Sequence, residues 1–187
     1  MRNTVHFVTL HFILFLIVDL YSFIRDVPDF PKPGILFKDI TPLIESGEAF
    51  RAATNHFHEY AQGLKLDKIV AVESRGFIFG APLADRLGIG IAVARKKGKL
   101  PFKTFSSSYA LEYGTNTIEM HQDSIGSGER VLIIDDVLAT GGTANATADL
   151  VRQLGGDIVG FAFLIELLFL HGHKQLGEKN VVSLLQY

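Results

Sequence analysis

An α/β fold, with a central parallel sheet covered by helices on both faces, is what this 187-residue sequence predicts. Three observations carry that expectation. Short, near-continuous apolar runs recur along the chain, the segments between them repeat apolar residues at helical spacing, and glycine-rich turns mark the changes from one pattern to the other. Strands that are apolar on both faces belong in sheets buried on both sides, and strand-helix-strand crossovers build such sheets.

Taken in order, the chain opens on an exception. Residues 5–24 are apolar save His6, Thr9, His11, Asp19 and Ser22. The uninterrupted apolar run is only residues 12–18, short of the roughly 20 residues a spanning helix needs. Arg2 is a thin basic flank and no small-x-small cleavage pattern follows, which argues against a secretory leader or an anchor. Residues 1–20 are therefore expected as a hydrophobic extension ahead of one domain at residues 21–187. In DFPKPGILFKD (29–39), Pro31, Pro33 and Gly34 set a stiff turn before Leu36, Phe37 and Lys38.

DKIVAVE (67–73) reads as a buried strand, and GFIFGAPLADRLG (76–88) as the helix after it. IGIAVAR (89–95) reads as a second strand and RVLIIDD (130–136) as a third. Residues 144–154 carry Ala146, Leu150, Val151 and Leu154 at helical spacing, with Gly155 and Gly156 to stop them. DIVGFAFLIEL (157–167) reads as a fourth strand. Between the second and third strands, GKLPFKTFSSSYALEYG (98–114) is long and polar, which suits a mobile loop that closes over a reaction. Neither an internal repeat nor a low-complexity linker interrupts the chain, and its length suits one domain with a substantial core.

Composition removes several classes of function. The formal net charge is -2, so no bulk field draws nucleic acid, and an anion must be met by a local cluster. Cysteine is absent, which excludes disulfides, a thiolate nucleophile and cysteine-held metals. His56 and His58 lie two apart on a helical stretch and so point different ways, while His171 and His173 flank Gly172 in a turn without a third ligand nearby. Arg95, Lys96, Lys97 and Lys99 form a basic run too short for a nucleic-acid patch, with no aromatic until Phe102.

The chemistry concentrates in IIDDVLATGGTANA (133–146). Ligands of such sheets gather beyond the carboxyl ends of the strands, where Asp135 and Asp136 stand. Thr140, Gly141, Gly142 and Thr143 then lead into a helix whose first N–H groups are free. Two glycines let the backbone close around a phosphate, and two threonines add hydroxyl donors. No Gly-Lys-Ser/Thr follows, so this is not a nucleoside-triphosphate loop of the Walker kind. Carboxylates beside a phosphate cradle must meet something hydroxyl-rich or electropositive: a ribose diol, a magnesium ion, or both. In ESRG (73–76), Ser74 and Arg75 follow another strand end, and the arginine fork suits phosphate oxygens.

A phosphate, a ribose and a metal side by side describe a phosphoribosyl group, and VLIIDDVLATGGTA resembles the phosphoribosyl diphosphate signature of the type I phosphoribosyltransferases. IRDVPDFPKPGILFKDITPL, ESRGFIFG, RKKGKLP, SYALEYGTNTIEMH and the terminal SLLQY resemble the adenine phosphoribosyltransferase family, so the likeness covers roughly residues 23–187. It implies the type I phosphoribosyltransferase fold with a small hood and a flexible lid. The implied reaction moves the 5-phosphoribosyl group from its 1-diphosphate to adenine, giving AMP and diphosphate in purine salvage.

By the same resemblance, Asp135 and Asp136 hold the ribose hydroxyls with Mg2+ nearby, and Ala139, Thr140, Gly141, Gly142 and Thr143 bind the 5-phosphate. Ser74, Arg75, Arg95, Lys96 and Lys99 meet the diphosphate. Backbone groups of Leu36 and Lys38 read adenine while Phe37 stacks on it. Glu112 handles the purine proton as the catalytic acid or base, and Tyr113 belongs to the lid. A cytoplasmic homodimer that binds these small molecules, without nucleic acid or membrane, completes the expectation. The alternatives are a nucleotide-sensing regulator of the same fold that binds nucleic acid, a membrane-tethered form, and a transferase for another purine.

Overall fold

The computed structural model describes residues 18–110, 115–177 and 180–187. Its first residues are already packed. Asp19 caps a 3-10 turn, Leu20–Phe23, by accepting a hydrogen bond from Tyr21 N, and Leu20 is buried in the core with Val18 against the same cluster. The Tyr21 hydroxyl accepts from Gln186 N at 3.1 Å, which ties this turn to the far end of the chain. A boundary between residues 20 and 21 would thus cut through a packed segment.

Strands β1 (Arg25–Pro28) and β2 (Leu36–Asp39) form an antiparallel ribbon outside the main sheet. Arg25 and Thr41 both donate to Asp39, and hydrogen bonds from Thr41 and Arg25 lower its pKa to about 2. Helices α1 (Thr41–Glu45) and α2 (Gly47–Gln62) follow. The Ser46 hydroxyl caps α2 by accepting from Ala49 N, and Ala49, Ala53, Phe57 and Ala61 bury one stripe of it at four-residue spacing.

The remaining elements alternate as expected: β3 (Lys68–Val72), α3 (Gly76–Leu87), β4 (Gly90–Lys96), β7 (Arg130–Leu138), α4 (Gly142–Gln153) and β8 (Asp157–Glu166). Strands β5 (Thr104–Ala110) and β6 (Thr115–His121) intervene, and β9 (Val181–Gln186) closes the chain. The seven-stranded order is β5-β6-β4-β3-β7-β8-β9. Strands β4, β3, β7, β8 and β9 are parallel, while β5 and β6 form an antiparallel hairpin joined to β4.

Period-two alternation divides the core. Ile69, Ala71, Leu132, Ile134, Ala162 and Leu164 face the cluster shared with α1, α2 and α3. Their neighbours Val70, Val72, Val131, Ile133, Phe161 and Phe163 face α4 on the other side. Removing a ring such as Phe161, which has no exposure, would cost about 3–5 kcal/mol.

The polar stretch after Gly98 departs from the expected loop. Residues 104–110 pair with β6 in unbroken register. Phe105, Ser107 and Tyr109 are half-buried while Ser106 and Ser108 are exposed, an alternation that a strand requires and that the run of serines conceals. Residues 111–114, with Glu112 and Tyr113, lie outside the described residues.

Candidate active site

The carboxyl ends of β3 and β7 open onto a cavity of about 640 Å³. Three walls come from separate parts of the chain. Leu36, Phe37 and Lys38 of the β1–β2 ribbon form one; Ser74, Arg75 and Lys96, beyond β3 and at the end of β4, form another; Asp135, Asp136, Ala139 and Thr143 form the third. Thr140 and Gly142 line an adjoining cavity of about 920 Å³, which shares Leu36, Lys38 and Tyr109 with the first.

Strand β7 ends in its two acids, and α3 begins directly against them. A Cβ on Gly76 would lie 2.8 Å from Ile134 O and 3.0 Å from Asp135 Oδ1, so only glycine lets the helix start this close. Asp135 Oδ1 accepts from Asp136 N at 2.8 Å. Arg75 Nε lies 2.7 Å from Asp136 Oδ2, yet out of line for a hydrogen bond, so this buried oxygen has an ion-pair partner and no hydrogen bond. Burial raises the pKa of both acids; at Asp135 the Asp136 charge adds to the rise, and at Asp136 the Arg75 charge opposes it. The Arg75 guanidinium carbon also sits 5.6 Å from the Phe37 ring centre, which links the acid wall to the ribbon.

Gly141 adopts φ +86° ahead of α4, a left-handed turn that aims the free N–H groups at the start of the helix into the loop. A Cβ there would stand 2.5 Å from Gly172 O, and one on Gly172 would collide with Ala139 O, so the 3-10 turn Gly172–Leu176 backs this loop directly. His173 Nδ1 lies 3.0 Å from Oε1 of Glu166, a buried side chain at the end of β8, and holds that turn in place. In front, the Thr143 hydroxyl donates to the Tyr109 hydroxyl at 2.8 Å. The Lys38 ammonium is committed elsewhere: it donates to Asp26 at 2.6 Å and sits 3.9 Å from the Tyr187 ring centre.

The ends of a glycine-turned loop at a helix start, the half-buried Asp135 and buried Asp136, a cationic wall and an aromatic ribbon thus meet around one cavity. Comparison with known proteins gives this arrangement its family. The phosphoribosyl transferase domain family matches residues 43–184. The adenine phosphoribosyltransferase of Chloroflexus aurantiacus is 54% identical over 169 residues, 90% of this chain and 98% of that protein. The chain belongs to the adenine phosphoribosyltransferase family. Among solved structures, the adenine phosphoribosyltransferase of Thermoanaerobacter pseudethanolicus superposes with a TM-score of 0.87 at 49% identity, over 90% of this chain and 98% of that one. The Saccharomyces cerevisiae enzyme, solved with an imino-altritol bisphosphate and adenine, gives 0.83 at 39% identity, over 88% and 96%.

Against the adenine phosphoribosyltransferase pattern, the cavity gathers most of the residues singled out in the sequence; Thr140 and Gly142 line only the adjoining cavity, Gly141 lines neither, and neither do Arg95 and Lys99. Both are turned to Glu73: Arg95 Nε donates at 3.2 Å and Lys99 Nζ lies at 3.0 Å. Glu73 and Tyr109 are the residues that sequence reasoning missed. Glu73 directly precedes Ser74 and Arg75 in the same motif, and its partners Arg95 and Lys99 lie more than twenty residues further on. Tyr109 sits in a period-two run within the stretch read as a loop. The Glu73–Ser74 peptide bond is cis.

Proposed function

We infer that this protein transfers the 5-phosphoribosyl group of phosphoribosyl diphosphate to adenine, releasing AMP and diphosphate. The observation that carries this reading is the meeting, around one cavity, of the Asp135–Asp136 pair, Ala139 and Thr143 at the two ends of the glycine loop, and the Phe37 ribbon, in a chain 54% identical to an adenine phosphoribosyltransferase. The yeast relative solved with adenine supports the choice of base.

In this reading the 5-phosphate rests on the loop N–H groups and the Thr143 hydroxyl, while Asp135 and Asp136 take the ribose hydroxyls. Arg75 and Lys96 face the diphosphate with Ser74; Arg95 and Lys99 stand behind that wall, paired with Glu73, and add their charge to it. Phe37 stacks on adenine while backbone groups of Leu36 and Lys38 read its amino and N1 positions, a role that leaves the Lys38 ammonium free to hold Asp26. Adenine N9 attacks the anomeric carbon as the bond to diphosphate breaks, and diphosphate leaves with the bonding pair. Positive charge on the ribose in this oxocarbenium-like passage lies near the two acids, and the N9 proton passes to Glu112. Tyr113 belongs to the lid that keeps water out.

Magnesium fits this site as an ion that arrives with the donor. No group of three or more acids or histidines able to hold a metal occurs among the described residues, while Asp136 Oδ2 is a buried acceptor without a hydrogen bond. Asp135 and Asp136 would hold it, the donor's oxygens supplying most of the roughly six ligands it needs, and it would neutralise charge on the leaving diphosphate. We also propose a cytoplasmic homodimer, with Leu20 part of the domain because its side chain is in the core. No helix among the described residues is long and apolar enough to cross a membrane.

Chromatography of products after offering adenine, hypoxanthine, guanine and xanthine with phosphoribosyl diphosphate and magnesium tests the reading. AMP formed in strong preference to the other monophosphates supports it. Comparable kcat/KM for adenine and hypoxanthine would overturn the base assignment.

A further inference from the structure

Glu73 stands where β3 leaves the sheet, its backbone N–H bonded to Ala94 O at 2.9 Å and its side chain only 7% exposed. It is an acid inside the cationic wall. Its Oε2 accepts from Lys96 N at 2.9 Å and from Arg95 Nε at 3.2 Å, while Oε1 lies 3.0 Å from Lys99 Nζ. The basic turn is closed around this carboxylate: Arg95 Nη1 donates to Lys99 O at 3.2 Å and Lys99 N to Lys96 O at 3.3 Å. From the other side, Gly98 N donates at 2.9 Å to Oε2 of Glu119, a buried acid on β6. Burial alone would push the Glu73 pKa up; the Lys99 hydrogen bond, the Lys96 N–H and the Lys99 and Arg95 charges outweigh it and leave the pKa lowered, so Glu73 is ionised at neutral pH.

A purely structural tie to Lys96 N and Arg95 Nε needs one acceptor oxygen, which an amide supplies as well. What only a carboxylate supplies is charge. One negative charge held against Arg95 and Lys99 offsets part of the field those cations project into the cavity.

We propose that Glu73 is a positioning residue that sets both the geometry and the net charge of the basic turn, and thereby how tightly diphosphate is held and how readily it leaves. The proposal rests on the reading that Lys96 faces the diphosphate and that Arg95 and Lys99 act on it through their charge from behind. Too positive a wall would bind both the donor's diphosphate and the free product strongly, which favours the ground state and the product complex rather than the passage between them.

The test is calorimetric titration of the full chain with diphosphate, ribose 5-phosphate and adenine, alongside steady-state kinetics. Glu73→Gln keeps the volume and one acceptor oxygen, enough for Lys96 N and Arg95 Nε, while removing the charge and the acceptor for Lys99, so diphosphate should bind about tenfold more tightly, with ribose 5-phosphate and adenine unchanged. The double variant Glu73→Gln with Lys99→Met restores the charge balance and should return diphosphate affinity toward the wild-type value, a rescue that a merely structural role would not produce. Diphosphate affinity unchanged or weakened in folded Glu73→Gln overturns the proposal. Should that variant not fold, Glu73→Asp keeps the charge but withdraws it by one methylene from Arg95 and Lys99; it should tighten diphosphate several-fold without touching adenine, and unaltered or weaker diphosphate binding overturns the proposal equally. Lys96→Met separates the underlying reading: if it leaves diphosphate binding intact, the reading and the proposal fall together. If it weakens binding while Glu73→Gln changes nothing, only the proposal falls.

Discussion

Replacing both Asp135 and Asp136 with Asn should loosen the phosphoribosyl donor and yet stabilise the protein above the ordinary carboxylate range. Asp136 is 4% exposed and one of its oxygens has no hydrogen bond; Asp135 lies beside it. Burial raises both pKa values above the roughly 3.9 of an aspartate in an unfolded chain. Within the window between that value and the raised ones, the folded state holds more protons than the unfolded state. Stability is therefore full below the window and is lost as pH rises through it. Asn carries no such proton, so the gap between variant and wild type should widen with pH. The lost ion pair with Arg75 subtracts little, no more than about 1 kcal/mol, because the Arg75 side chain is 41% exposed and turns readily to water. On the ligand side, one charge-assisted hydrogen bond contributes about 1.5–3 kcal/mol, so the loss of even one lowers donor affinity by about tenfold or more. Thermal melts from pH 5 to pH 9 and calorimetric donor titration measure the two halves. A folded double variant that binds the donor as the wild type does, or that melts below it at pH 8, would refute the reasoning.

Further outcomes follow from single contacts. Tyr109→Phe removes the acceptor of the Thr143 hydroxyl and should cost about 0.5–1.5 kcal/mol, seen as a melting temperature lower by about 2–4 °C; an unchanged melt would show the bond to be worthless. Gly141→Ala forces a side chain into a left-handed turn, about 1–2 kcal/mol, and against Gly172 O as well; ribose 5-phosphate should weaken more than adenine in parallel titrations. Phe37→Ala should reduce adenine affinity by the roughly 1–3 kcal/mol of a lost stacking partner while donor binding holds, and equal loss of both would count against the base assignment. Glu112→Gln should lower kcat by about 10²-fold or more with donor affinity retained, which single-turnover kinetics would separate from a binding defect.

Much of the fold was legible because its signals are local. Residues 67–73, 130–136 and 157–167 announce buried strands through continuous aliphatics, and Gly155 stops α4 as its placement suggests. The loop at Ala139–Thr143 was equally legible, since free N–H groups, a left-handed glycine and adjacent acids need only one short stretch of chain. The hairpin of β5 and β6 was not, because serines carry weak strand preference and the half-buried face of Phe105 and Tyr109 acquires meaning only against α4 and the sheet. Likewise β9 and Leu20 count as core only once opposite ends of the chain meet.

By itself, then, the order of residues determined an α/β sheet, a glycine-turned loop at a helix start and the acids beside it, for each depends on spacing within one or two turns of backbone. Tertiary structure alone decided that Gly172 presses behind Gly141, that Tyr109 closes on Thr143, and that Glu73 binds Arg95 and Lys99. Those contacts join residues 22 to 34 positions apart, with Glu73 and Lys99 at 26, and which side chains meet across such separations is set by sheet order and by the faces that pack, which no local pattern encodes.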